Sequence, residues 1–258
     1  MTEQKSFRLR WPHYLLAVLV YLIFLLAWAP ASLLAWALPR FTQQAVSLEQ
    51  AEGSVWRGQA AVLRVQLAAG PGLQLGRVNW QLRPLDLFRG RLGYRLELAG
   101  AGIDAQGVLR TGGQGGEIQD IRAELPAGML GQISPDLGLW QPGGRLVFEA
   151  SQLAFRREGV EGQATLRWLD AVSGRVRQPL GSYRANLEGV ENGLNFRLST
   201  ETGPLLLLGS GSWARQRGVV FNGVARTDPA SRTKLDGLLS LIGPPQPNGD
   251  RIIRITHQ

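Results

Sequence analysis

Six carboxylates, Asp86, Glu97, Asp104, Glu117, Asp120 and Glu124, are the side chains of this sequence best suited to acid–base work. Their spacing brings no pair to a common point, so they read as solvated surface charge rather than as a catalytic dyad. Only two histidines are present, His13 near the start and His257 next to the last residue. Neither falls inside the body of the chain, which argues against a histidine triad or a multi-histidine metal site. There are 0 cysteines, and with them go disulfides, thiolate nucleophiles and cysteine-ligated zinc. Gly112-Gly113-Gln114-Gly115-Gly116 is rich in glycine but lacks the strand-to-helix setting and the lysine of a phosphate cradle; it reads as a flexible loop. The expectation is a protein without catalytic residues, cofactor or metal.

The formal net charge is +8, which raises nucleic acid or anionic lipid as a partner. Only Lys5 and Lys234 are lysines, and the arginines are spread singly without interleaved aromatics. No nucleic-acid partner is expected.

The elements that would position these residues begin with a run from Tyr14 to Leu38 that holds no charged side chain. About 20 apolar residues suffice to cross a bilayer as a helix, so residues 14–38 are expected to form a single transmembrane helix. Lys5, Arg8 and Arg10 precede it and Arg40 alone follows closely. The positive-inside bias then places residues 1–13 in the cytoplasm and exports residues 39–258. Membrane lipid is the partner of such an anchor, and a bacterial inner membrane its location. Trp11, Tyr14 and Trp36 suit interfacial positions, and Pro30 is expected to kink or shift the helix rather than abolish it. Ala35-Trp36-Ala37 resembles a signal-peptidase site, but the apolar run is longer than a signal core.

Beyond Arg40 the period changes to two. Residues 62–67, 91–97, 145–150, 194–198 and 251–256 alternate apolar and polar side chains between glycine, proline and asparagine punctuation. The 33 glycines and 14 prolines are scattered between these runs. The fold class is therefore mainly β: an antiparallel exported domain, sandwich-like or an open barrel-like roll. One short helix is expected near the end, capped by Asp228 and started by Pro229. It would present Leu235, Leu238, Leu239 and Ile242 on one face before Gly243 and Pro244 stop it. A loose repeat relates Trp80, Gly93 and Tyr94 to Trp168, Gly181 and Tyr183, and suggests two similar blocks at about residues 53–125 and 140–225.

Gly53-Ser54-Val55-Trp56-Arg57-Gly58 places a glycine on each side of an aromatic, as suits a tight turn entering a strand with a buried ring. Here the sequence resembles the type II secretion system protein N family. Gly53, Val55, Trp56 and Gly58 match its Gly-x-Val-Trp-x-Gly-like element after a single basic-flanked span. The resemblance continues through Trp80 with Pro84, through Trp168 with Pro179, Gly181 and Tyr183, and through Gly203, Pro204 and Leu205 with Trp213. It implies a non-catalytic inner-membrane accessory or assembly subunit of a protein secretion machine, with other type II secretion subunits as partners in membrane and periplasm. A looser similarity, carried by the stretch from Trp80 to Leu92, is to AsmA-like envelope proteins. That similarity implies the alternative, a β groove that carries lipid or another hydrophobic ligand.

Overall fold

The computed structural model describes residues 11–66, 72–112, 115–133, 138–156, 159–214, 217–228, 231, 235, 237, 239–240, 244–247 and 249–257. Lys5, Arg8 and Arg10, on which the expected orientation rests, lie outside the described residues.

The expected single helix over 14–38 is two helices: α1 (Trp11–Ala27) and α2 (Ser32–Phe41). Pro30 lacks the N–H that would continue the ladder, and the chain there is held by a strand instead. Pro30 forms a bridge with Ser54, Ala31 N–H donates to Gly53 O at 3.0 Å and Val55 N–H donates to Ala29 O at 2.9 Å. The proline therefore breaks the helix, contrary to the expected kink or shift. Among the described residues no helix is long and apolar enough to cross a membrane.

The strands follow in chain order: β1 (Val46–Gly53), β2 (Arg57–Val65), β3 (Leu73–Gln74), β4 (Arg77–Leu82), β5 (Leu92–Gly100), β6 (Ile103–Gly112) and β7 (Gly115–Pro126). After them come β8 (Pro142–Arg156), β9 (Gly159–Ser173), β10 (Val176–Glu191), β11 (Gly193–Thr202), β12 (Leu205–Ala214), β13 (Gly218–Thr227) and β14 (Arg251–His257). A short turn of helix, α3 (Pro84–Leu87), joins β4 to β5, and α4 (Leu130–Ile133) lies between β7 and β8. Among the described residues the strands form one antiparallel sheet of 14 strands in sequence order, with β3 as a side branch on β2. The two ends of the path, β1 and β14, are not paired with each other, so the sheet is open. Of the sheet forms left open by the sequence, a two-layer sandwich is excluded. Strands bond to their neighbours in sequence because hairpin closure is the least costly pairing. In the glycine-rich stretch read as a flexible loop, Gly112 of β6 stands opposite Gly115 of β7; Gly113 and Gln114 lie outside the described residues.

Register and pleat segregate the side chains. Residues directly opposite one another share a face, and a single row can be followed across the path. It runs Ala51, Ala60, Val78, Leu98, Ala105, Ala123, Phe148, Leu166, Ala185, Leu198, Gly209, Gly223 and Ile253. Every member is apolar or glycine. The neighbouring row, on the other face, runs Glu52, Gln59, Asn79, Glu97, Gln106, Arg122, Glu149, Thr165, Asn186, Arg197, Ser210, Asn222 and Arg254, and every member is polar.

Among the described residues the apolar face is covered by helix only near its two ends. At the first, α2 adds Leu34 to a cluster of Ala31, Ala60, Val78 and Trp80. At the other, Leu235 and Leu239, both helical and at most 2% exposed, join Ala171, Leu180, Tyr183, Leu205 and Ala225. The expected C-terminal helix is thus present in part; Pro229, Leu238, Ile242 and Gly243 lie outside the described residues. Its Asp228 carbonyl accepts a hydrogen bond from Ser231 N–H at 3.0 Å.

Candidate functional site

The residues singled out in the sequence gather at those two covered ends. At the first, Gly53 takes a positive φ of 89° and begins the turn into β2. Trp80, only 5% exposed, donates its indole N–H to Ser54 O at 3.0 Å. Gly58 lies against that indole: a Cβ there would stand 2.5 Å from Trp80 Cζ2. The buried ring expected next to the paired glycines is therefore Trp80, directly opposite Gly58 on the neighbouring strand β4, while Trp56 is half-buried. Leu82 N–H donates to Trp56 O and Val55 N–H holds the α1–α2 joint. Gly53, Val55, Trp56, Gly58 and Trp80 thus fasten the helices to the sheet. Pro84 opens α3 and is exposed.

At the second end, Trp168 donates its indole N–H to Gly143 O at 2.9 Å and packs tilted on Tyr183 with centroids 6.0 Å apart. Tyr183 is 2% exposed, and its hydroxyl has two backbone acceptors, Leu180 O at 3.0 Å and Leu205 O at 3.1 Å. Burial pushes its phenol well above the usual range. Gly181 of β10 and Gly203, the residue after β11, come so close that a Cβ on Gly203 would stand 2.3 Å from Gly181 Cα. Pro204 O accepts the Asp228 N–H, which leads the chain from β13 towards the helical segment over Leu205. Pro179 and Trp213 are exposed and stand apart from this cluster.

None of these groups forms a proton-transfer or nucleophilic pair; they are joints. The charged residues do the same work on the polar face. Asp86, 4% exposed, sits over Gly93 and faces Arg110 at 3.4 Å and Arg83 at 3.6 Å. Arg110 also reaches Glu117 at 3.1 Å, and Gln119. Glu201 accepts hydrogen bonds from Arg167 Nη2 at 3.1 Å and Arg184 Nε at 2.7 Å, and the Arg167 bond foremost holds its carboxyl below the ordinary range. Sequence reading missed Glu201 and the Ala29–Ala31 joint, because both depend on which strands are neighbours. Among the six candidate carboxylates, Asp86 and Glu117 meet at Arg110 as ion-pair partners. Glu124 pairs with Arg122 at 3.5 Å, while Glu97, Asp104 and Asp120 form no ion pair among the described residues.

What remains are surfaces. The apolar face between its covered ends carries no second layer among the described residues. On the other face a trough of about 990 Å³ runs across β7 to β13. Its lining includes Glu149, Gln163, Asn186, Asn195 and Asn222, all polar. Among the described residues no cluster of histidine, aspartate and glutamate is arranged to hold a metal ion.

The model of the type II secretion system protein N family matches residues 44–254. No curated protein and no solved structure matches significantly. The matched span takes in every strand of the sheet, β1 to β14, except the last residues of β14, and on that coverage the chain belongs to the type II secretion system protein N family.

Proposed function

We propose that the chain is a non-catalytic, inner-membrane accessory or assembly subunit of a type II secretion system, acting through contacts with other secretion subunits. Family membership over residues 44–254 carries the reading and makes the chain a type II secretion component. Its finer content is supported by α1. The large apolar side chains from Tyr14 to Leu25 are each 50% or more exposed, on every side of the helix, and a helix apolar all round belongs in lipid or in a protein core. In the proposed arrangement α1 lies in the bilayer, the segment before it in the cytoplasm and the sheet in the periplasm. The joint at Pro30 then fixes the sheet to the membrane surface through backbone hydrogen bonds rather than through a flexible linker.

Deletion of the gene in its native host tests this. A secreted enzyme is expected to accumulate in the periplasm and to return to the medium when the intact gene is restored. Unchanged secretion would remove the assembly role.

A second reading is favoured by one observation: the unbroken apolar row from Ala51 to Ile253. A sheet with one apolar face normally buries it against a second layer. In this reading acyl chains of envelope lipid take that place, as the AsmA-like resemblance implies. Lipid extracted from the protein purified in mild detergent, and lost on Phe148→Arg or Leu166→Arg, is the expected result; its absence would remove the reading.

A further inference from the structure

Among the described residues the last strand of the sheet has a free edge. β14 pairs with β13 from Val219–His257 to Ala225–Arg251, and among the described residues only Arg251 is engaged on its other side, by the bridge to Pro245. Beyond Arg251 it has no proline, bulge or lysine to blunt the edge, and Arg254 is its one arginine. At the opposite end of the sheet, β1 is engaged at both of its ends. Thr42 Oγ1 accepts from Val46 N–H at 3.1 Å, and Gly53 O accepts from Ala31 N–H at 3.0 Å.

Beside that free edge the polar face changes character. Leu208, Val224 and Ile252 stand directly opposite one another on β12, β13 and β14, and are 63%, 36% and 40% exposed. They floor a shallow groove of about 580 Å³ that reaches the edge. Next to this row lies Arg254, directly opposite Asn222. Arg254 has no ion-pair partner among the described residues, whereas nearby Arg226 is paired with Asp250 at 2.7 Å.

We propose that β14 is a docking edge for an extended segment of another protein, which adds as a further strand. That segment would place an acidic side chain beside Arg254 and an apolar one beside Ile252. A fully paired added strand satisfies the edge amides and carbonyls, the apolar neighbour covers the Leu208–Ile252 row, and the acidic one meets an arginine that lacks a partner. Two observations argue against a second copy of this chain. Antiparallel pairing of β14 with itself about its centre would set Arg254 beside its own copy, and β1 is held at both ends. The inference deepens the assembly role proposed above by stating the chemistry of one partner.

The test uses the full chain in detergent and a short peptide in which one glutamate is flanked by valines and followed by leucine, with binding read by fluorescence anisotropy. Saturable binding is expected, weakened about tenfold by Arg254→Glu. A peptide with lysine in place of the glutamate should recover that loss on the Arg254→Glu variant. Leu208→Asp should also weaken binding, with unchanged circular dichroism in each variant. Absence of saturable binding to an intact sheet overturns the proposal, as does equal binding by the variant and the original. A concentration-dependent dimer broken by Arg254→Glu overturns it too, because the edge then serves a second copy. Peptide binding does not depend on secretion, so a normal secretion phenotype with charge-dependent peptide binding removes the assembly role and leaves the edge standing.

Discussion

At the scale of single residues, this protein places its most exacting demands where two backbones or a backbone and a ring come closest. Gly58 is one such place: Trp80 Cζ2 and Glu52 O would each stand 2.5 Å from an added Cβ. Neither is the loose end of a flexible side chain, so Gly58→Ala must push the indole off Ser54 O or open the β1–β2 pairing. The expected cost is about 2 kcal/mol, in the range of overpacked cores, read as a lowered midpoint in chemical denaturation.

Two titrating residues give opposite pH signatures. Tyr183 is buried with its phenol pushed upwards, so the fold favours the neutral form. Its contribution is complete below the unfolded value of about 10 and is lost as pH rises beyond it. Tyr183→Phe should remove that alkaline loss while leaving Leu180 O and Leu205 O without their donor, at about 1 to 2 kcal/mol. Glu201 is held low, first by the Arg167 hydrogen bond, so its stabilisation is present above the unfolded carboxylate value and disappears as pH falls through the lower folded one. Glu201→Gln is expected to flatten the acid side of the stability profile, with a difference at neutral pH of about 1 kcal/mol or less given its partly exposed arginines. Thermal melts across pH read both residues.

At the scale of elements, the helical segment that carries Leu235 and Leu239 is the cover of the second cluster. Leu235 has 0% exposure and joins a core supplied by Ala171 of β9, Leu180 and Tyr183 of β10, Leu205 of β12 and Ala225 of β13. Leu235→Ala should cost about 2 to 5 kcal/mol, and Leu235→Asp should free the segment from the sheet, measured as new protease cleavage within residues 228–250.

The legibility of the elements follows their physics. Strands were readable because alternation is a local property: 145–150 and 251–256 fall inside β8 and β14. Leu235 and Leu239 were readable because helical spacing is local too. The break at Pro30 was not, since proline alone permits either a kink or a stop. What decides between them is the edge of β1, which supplies partners for the backbone on each side. Glu201 was invisible for the same reason: its arginines come from β9 and β10, 34 and 17 positions away. The glycine and tryptophan positions could be picked out of the sequence, but their partners, Trp80 for Gly58 and Gly203 for Gly181, required the register.

At the scale of the whole molecule, the sheet is close to one-dimensional. Each strand on its path bonds the strands before and after it, and 13 strands at about 4.8 Å apart extend roughly 60 Å from β1 to β14. Stability in such an array comes mainly from neighbouring strands, as it does in repeat proteins, and from the helical covers at its ends. Opening should therefore be graded rather than all-or-none. Hydrogen exchange of the intact protein is expected to show fastest exchange at β14 beyond Arg251, intermediate exchange in β5 and β6, and slowest exchange in β8 to β10. Those three strands are the longest, at 15, 15 and 16 residues, and lie between neighbours on both sides. Uniform protection across every strand would contradict this, because it requires a layer that packs along the whole apolar row and couples distant strands. The same measurement separates the two readings of that face. Added phospholipid that slows exchange from β6 through β8, where helix leaves the row bare, would be the signature of acyl chains supplying the missing layer; exchange indifferent to lipid but slowed at β14 by the acidic peptide would leave protein contact as the use of this sheet.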